Sequence, residues 1–217
     1  MINIIKIIDA IYPPACGICG KLDKNWLCNK CKIRIKKQAI CKIEDYKQTT
    51  SYFDKHIYIF QYDGIIRDLI LNYKFNQKNY IYNIFVNFLK NNEKIYLQIK
   101  KYDIMIPVPI SKKRLKQRGY NQSAVFARSL AKSLKMEYKE DVLIKTKDNK
   151  QQSSLKQEER TKNVENVYKV KNAKGIFNKK ILLIDDVFTT GSTVNECARI
   201  LKQFKAKEVG VLTIAKD

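Results

Sequence analysis

Histidine, glycine and acidic residues are all scarce in this sequence, and each scarcity removes a class of function. His56 is the only histidine among 217 residues. It stands in an apolar, strand-like run, and no Ser/His/Asp or Cys/His set can be assembled around it, so it is read as structural. Glycine occurs seven times, and neither G-x-x-x-x-G-K-[ST] nor G-x-G-x-x-G is present, which excludes two common phosphate-cradling loops. No apolar run reaches the ~20 residues that cross a bilayer. The N-terminal "MINIIKIIDAIYPPACGIC" is broken by Lys6 and Asp9 and is followed by no A-x-A-like cleavage site, so it is a poor signal peptide. Ile4, Ile5, Ile8, Ile11 and Tyr12 recur at helical spacing there, which predicts a short amphipathic helix ended by Pro13 and Pro14. No internal repeat or long low-complexity tract occurs. A cytoplasmic protein with reduced cysteines is expected.

Acids number 21 against 43 lysines and arginines, a formal charge of +22. A field of that sign draws phosphate-bearing partners, nucleic acid among them. The alternative is a solvated basic surface, because the excess is mostly lysine in a chain also crowded with isoleucine, asparagine and tyrosine. With 45% hydrophobic residues the chain buries a core, and its length fits one medium domain with a small appendage.

Cysteine is unevenly spread. "CGIC" at Cys16 and Cys19 is followed by "CNKC" at Cys28 and Cys31, and two C-x-x-C knuckles this close supply four thiolates to one tetrahedral ion, best matched by Zn²⁺. Four cysteine ligands leave no open position, so the zinc is structural and contributes much of the folding free energy of a short segment. Cys41 is a spare thiol, and Cys197 stands alone in a helical stretch. Residues 1–50 are therefore assigned to an N-terminal helix and zinc module, and 51–217 to the main domain.

In the main domain, strands alternate with helices. "HIYIFQYDG" predicts a strand, "IIRDLILNYKF" and "YIYNIFVNFLKNN" helices, and "YDIMIPVP" a buried strand stopped by its prolines. "NQSAVFARSLAKSL" predicts a helix capped by Asn121. Residues 145–161 lack a period and are read as a loop. "KILLIDD" predicts a strand, "TVNECARILKQF" a helix and "EVGVLTIA" a last strand. Several strands are hydrophobic throughout, which indicates an α/β fold: a mainly parallel sheet covered by helices on both faces.

The stretch "KKILLIDDVFTTGSTVNECARIL" concentrates the chemistry. Adjacent strand residues face opposite ways, so Asp185 and Asp186 serve one ligand only where the strand ends. Carboxylates there accept hydrogen bonds from vicinal hydroxyls such as a ribose edge. Thr189, Thr190, Ser192 and Thr193 offer hydroxyls, Gly191 permits a tight turn, and the following helix N-terminus suits phosphate. Together these describe a site for a phosphorylated sugar. Thr193 with Glu196 also fits a capping box, which explains part of the pattern as helix initiation. It leaves the acid pair unexplained, since buried carboxylates are costly without a partner.

"ILLIDDVFTTGST" resembles the 5-phosphoribosyl-1-pyrophosphate (PRPP) signature of type I phosphoribosyltransferases. "DIMIPVPISKKRLKQRGYNQSAVFARSLA" resembles the P-V-P and R-x-x-x-R-G-[FY]-N-Q segment of the ComF family, which includes ComFC and the GntX group. Gln152, Leu155, Arg160 and Asn163 match its Q-x-x-L-x-x-x-x-R-x-x-N segment. Members also carry an N-terminal cysteine module, so the resemblance covers nearly the whole chain. There are departures: only Cys41 remains of a third cysteine pair, Asn149 replaces a common Thr, and Lys147 replaces a common Arg.

The resemblance implies a type I phosphoribosyltransferase-like domain linked to natural competence and uptake of transforming single-stranded DNA. Asp185 and Asp186 would bind the ribose hydroxyls, and residues Val187, Phe188, Thr189, Thr190, Gly191, Ser192 and Thr193 would wrap the 5′-phosphate. It further implies Mg²⁺ with PRPP, partners among the DNA-translocation proteins, and a position at the inner face of the membrane through them. Transfer from PRPP requires stabilisation of a departing pyrophosphate more than a nucleophile. Arg114 and Arg118, in the cluster Lys112, Lys113, Arg114, Lys116 and Arg118, suit a bidentate grip on that anion, while the lysines read as part of a solvated loop. Three functions stay open: pentosyl transfer to an unidentified acceptor, a non-catalytic DNA-binding coupling factor that keeps the pocket, and nucleobase salvage.

Overall fold

The computed structural model describes residues 15–23, 27–47, 50–75, 81–147 and 167–217. The expected N-terminal helix lies outside these residues, as do Gln152, Leu155, Arg160, Asn163 and most of the expected loop.

Helix α1 (Asn29–Gln38) starts at the second cysteine knuckle and buries Cys31 and Ile35, one turn apart. It runs directly into β1 (Ala39–Asp45). β2 (Lys55–Gln61) is buried at its five central positions, as a strand covered on both faces must be. α2 (Gly64–Phe75) buries Ile66, Leu69, Ile70 and Tyr73, the i, i+3, i+4, i+7 stripe of a helix lying on a sheet. α3 (Tyr82–Lys90) and α4 (Glu93–Ile99) follow, the latter capped by Asn92, which accepts from Ile95 N. β3 (Ile104–Pro107) is wholly buried.

After β3 come α5 (Lys112–Arg118) and α6 (Gln122–Leu134). The short strands β4 (Glu137–Tyr138), β5 (Leu143–Lys145) and β6 (Tyr168–Val170) lead to β7 (Lys180–Phe188). α7 (Ser192–Gln203) and β8 (Glu208–Lys216) complete the chain.

Among the described residues the main sheet has six strands in the order β1-β2-β8-β7-β3-β4. Every neighbouring pair is parallel except β1 with β2, which is antiparallel. β5 and β6 form a separate antiparallel hairpin. This is the mainly parallel sheet with flanking helices that the apolar strands predicted. β1, which lies before residue 50, is an edge strand of that same sheet.

Alternation along the central strands divides the core. Leu182 and Ile184 of β7, with Leu212 and Ile214 of β8, pack under α2, α3, α4 and α6. Ile181 and Leu183, with Val209 and Val211, pack against α7 and the β5–β6 hairpin. Each fully buried aliphatic side chain contributes about 2 kcal/mol, so a slip of one residue in β7 would exchange both sets and is strongly disfavoured.

Three local expectations are corrected. The basic cluster Lys112–Arg118 is a helix, because Ser111 accepts from Arg114 N at 3.3 Å and Gly119, at φ 79°, closes it. β7 does not stop at Asp186 but continues to Phe188, where its pairing with β8 reaches Lys216. The Thr193/Glu196 capping box is not made: α7 begins after Gly191 with no side-chain cap, and Glu196 instead takes both guanidinium contacts of Arg199, at 2.7 and 2.8 Å. Asn121 does cap α6, accepting from Ser123 N at 3.1 Å.

Candidate functional site

β3 ends at Pro107, opposite Ile184, and Val108 N donates to Ile184 O at 2.9 Å. Past this bond β7 keeps a strand neighbour only on the β8 side. This is why both Asp185 and Asp186 reach one space although they lie within a strand. The crevice at the carboxyl end of a parallel sheet, where neighbouring strands diverge, is where ligands bind in such folds.

A cavity of about 200 Å³ occupies that crevice. Asp185, Asp186, Val187, Phe188, Thr189, Thr190, Gly191, Ser192 and Thr193 line it, together with Arg114 and Arg118. Every residue singled out in the phosphosugar stretch and both arginines therefore face the same space. The three lysines of α5, Lys112, Lys113 and Lys116, are exposed. Residues to which the sequence assigned no site role also line the cavity: Val108, Pro109, Ile110, Ser123 and Val194 from the quoted segments, and Tyr62, Lys74, Lys145 and Tyr168 from outside the motifs.

The acid pair is held by short polar contacts. Ser123 Oγ donates to Asp185 Oδ1 at 2.9 Å, and Asp186 N donates to the same oxygen at 2.9 Å. Lys74 Nζ lies 2.7 Å from Asp186 Oδ1. Burial, and next the adjacent Asp186 carboxylate, push Asp185 up to about 7, against the Ser123 hydrogen bond and Lys74. A carboxyl perturbed this far at the edge of a crevice marks sites that handle charge.

The following turn is shaped by Gly191, at φ 74°, a region that residues with a Cβ seldom occupy. Thr190 and Ser192 share a hydroxyl hydrogen bond of 2.8 Å, and Asn195 N donates to Gly191 O at 2.9 Å as α7 starts. The turn thus delivers hydroxyls and the amide end of a helix to the cavity, a setting for an anion.

Opposite, Arg118 Nη1 donates to Gln122 Oε1 at 3.0 Å, and its guanidinium lies 4.9 Å over the Phe75 ring. Burial lowers its proton affinity, with Asp186 opposing that effect. From the hairpin, Lys145 Nζ sits 5.3 Å over the Tyr168 ring. His56 is not part of the cavity. It is buried between Phe188 and Tyr58, and burial pulls it down to about 3.

The four cysteines form a second, separate centre. The thiol sulfurs of Cys16, Cys19, Cys28 and Cys31 all lie within 4.8 Å of one another, so this cluster can hold a metal ion. Gly20, at φ 73°, turns the first knuckle, and its amide donates to Cys16 O at 3.0 Å. The second knuckle is the start of α1. Burial, then hydrogen bonding with Cys28, Cys19 and Cys16, pushes the Cys31 thiol up to about 12. Ionised together, four thiolates at this spacing would need a cation to offset their repulsion. Cys41, in β1, and Cys197, buried in α7, are not among the four.

The sequence profile of the phosphoribosyl transferase domain family matches residues 121–217. Competence protein F of Haemophilus influenzae is 29% identical over 210 residues, which cover 89% of this chain and 91% of that protein. Competence protein ComFC of Streptococcus pneumoniae is 31% identical over 161 residues, 74% of this chain and 68% of that protein. This chain belongs to the ComF family. DNA utilization protein YhgH of Escherichia coli K12 is 28% identical over a shorter span of 114 residues. Among solved structures, adenine phosphoribosyltransferase of Thermoanaerobacter pseudethanolicus superposes with a TM-score of 0.41 and 13% identity, covering 66% of this chain and 84% of that one. The ComF fold here is a type I phosphoribosyltransferase-like, mainly parallel sheet with flanking helices and an N-terminal cysteine cluster. No helix among the described residues is long and apolar enough to cross a membrane.

Proposed function

We propose that this ComF chain binds PRPP in the cavity beside Asp185 and acts in natural competence, in the uptake of transforming single-stranded DNA. The observation that carries the reading is the convergence of Asp185 to Thr193, Arg114 and Arg118 on one space of about 200 Å³. Asp185 and Asp186 accept hydrogen bonds from the ribose hydroxyls. The Thr189–Thr193 turn, with its hydroxyls and helix amides, holds the 5′-phosphate.

Transfer breaks the bond between C1 of the ribose and pyrophosphate, and the pair of electrons leaves with the pyrophosphate. Arg114 and Arg118 stabilise that departing anion, which two forked guanidinium groups do better than two ammonium groups. The acceptor then forms its bond to C1 with its own lone pair, and any proton on the attacking atom is released to solvent or to the departing pyrophosphate. Bound Mg²⁺ would add positive charge at the pyrophosphate oxygens. This assigns a glycosyltransferase activity, with an acceptor still to be identified.

The cysteine cluster takes zinc in a structural role. A tetrahedron with Zn–S bonds of about 2.3 Å has edges of about 3.8 Å, and Cys19 and Cys28 already stand 3.7 Å apart. The cysteine knuckles lie against a phosphoribosyltransferase-like domain whose main sheet takes its edge strand, β1, from before residue 50, and the protein works in the cytoplasm and meets the membrane through its partners.

A second reading, a coupling factor that binds single-stranded DNA without transfer, draws support from α1. Lys30, Lys32, Arg34, Lys36 and Lys37 are all exposed on this ten-residue helix, and none forms an ion pair among the described residues. Unpaired rows of this kind release counterions on meeting a phosphate backbone.

A thermal shift with PRPP and Mg²⁺ tests the pocket, because a ligand bound only by the native state raises its stability. No shift at saturating PRPP ends the proposal. Pyrophosphate release on adding DNA, nucleotides or bases then separates transferase from coupling factor.

A further inference from the structure

The acid pair of the cavity has a basic partner that no motif contains. Lys74 sits in the last turn of α2, with Nζ 2.7 Å from Asp186 Oδ1, and the two side chains are only 16% and 13% exposed. An ammonium drawn this far out of water is stable only beside a carboxylate.

The turn that carries it is stitched to the α5–α6 junction. Tyr73 Oη donates to Gln122 O at 2.7 Å, and Gln122 Nε2 donates back to Lys74 O at 3.3 Å. Tyr120 Oη donates to Tyr73 O, and Arg118 covers the Phe75 ring. Tyr73 and Gln122 are buried. A solvated lysine needs none of these contacts; they leave Lys74 little freedom except to face Asp186.

We propose that Lys74 is a positioning residue of the pentose site, its ammonium neutralising and orienting Asp186 so that the acid pair presents two hydroxyl-accepting carboxylates to the ligand. The inference rests on the PRPP reading and adds to it a residue from a helix outside the signature. Two adjacent carboxylates in a desolvated crevice raise each other's proton affinity unless a cation stands between them and that penalty.

The groups around the pair come from six elements and the turn after β2: Tyr62 from that turn, Lys74 and Tyr73 from α2, Arg114 and Arg118 from α5, Ser123 from α6, Lys145 from β5, Tyr168 from β6 and Cys197 from α7. Arg118 is engaged with Gln122 and Phe75, and among the described residues Lys74 is the cation in ion-pair contact with an oxygen of the pair. Its charge already draws Asp185 downward against burial.

Lys74→Gln and Lys74→Arg test this with two readouts. The first is the NMR titration of the Asp185 carboxyl carbon in ligand-free protein. The second is calorimetric binding of PRPP with Mg²⁺ at pH 7 and pH 9. Lys74→Gln is expected to raise the Asp185 midpoint and to weaken PRPP by at least about tenfold at pH 7. The deficit narrows at pH 9, where Asp185 ionises regardless, and Lys74→Arg restores both readouts. An unmoved midpoint in folded Lys74→Gln, or an equal deficit at both pH values, overturns the proposal. A moved midpoint in a protein that never binds PRPP sustains the Lys74–Asp186 coupling and overturns the pentose reading instead.

Discussion

Phe188 stacks on His56, with ring centroids 4.2 Å apart and planes 24° from parallel, and the tip of the same ring fills the space into which a Cβ on Gly191 would project. The buried histidine is thus the floor of the signature turn. His56 Nε2 lies 2.8 Å from Thr213 Oγ1, which itself donates to Ala215 O at 3.1 Å. Nε2 therefore carries the proton, and the ring acts as a neutral spacer rather than a base.

Gly191→Ala should accordingly damage the site twice, through the positive φ and through the Phe188 ring. PRPP affinity is expected to fall by at least about tenfold, or about 1.4 kcal/mol. Metal content should not change, because the cysteine cluster is elsewhere. Calorimetric titration checks it, and affinity equal to the unsubstituted protein would show that the turn does not hold the ligand.

Asp185 makes stability depend on pH in a defined direction. Its proton affinity is raised on folding, from an ordinary 3.8 to about 7. Between those values the folded state keeps a proton that the unfolded chain has released, so stability falls as pH rises across the window and levels off above it. Asp185→Asn removes this penalty while leaving an oxygen to accept from Ser123. It should melt several degrees above the unsubstituted protein at pH 8, with a smaller difference at pH 5; a pH-independent difference contradicts the assignment.

Metal analysis should find one zinc per chain. Cys28 and Cys31 anchor the start of α1, and Ile35 of that helix is part of the main core, so losing the ion loosens core packing as well as the knuckles. Chelation, or Cys28→Ser, is expected to lower the melting temperature by at least about 5 °C, the effect of roughly 1–2 kcal/mol in a domain of this size. Unchanged melting on full removal would deny the ion a structural role.

If α1 meets a DNA backbone, changing Lys32, Arg34 and Lys36 together to Gln should reduce the slope of log affinity against log salt by about 0.7 for each single-strand phosphate that is no longer neutralised. Fluorescence anisotropy with a labelled oligonucleotide measures it. An unaltered slope would assign the positive charge of α1 to solubility alone.

Much of this was legible because the relevant signals are local. Apolar runs such as "KILLI" and the spacing of Ile66, Leu69, Ile70 and Tyr73 record which faces are covered, whatever covers them. The two C-x-x-C knuckles and the acid pair before T-T-G-S-T carry their chemistry within a few residues. Two local signals misled: Thr193 with Glu196 has the spacing of a capping box, but Arg199 competes for the carboxylate, and the run of charges after Ser111 hides a helix whose stop is Gly119.

Local pattern along the chain was therefore enough to read the strand and helix faces, the parallel sheet, the four cysteines that cluster and the turn that lines the cavity. It took the folded arrangement to show that β1 closes the edge of the main sheet, that Ser123 and Lys74 hold the two aspartates, and that Phe188 and His56 support Gly191. The physical reason is separation: Lys74 and Asp186 meet only because α2 and β7 pack against the same core, and a contact between distant segments leaves no period or spacing in the chain.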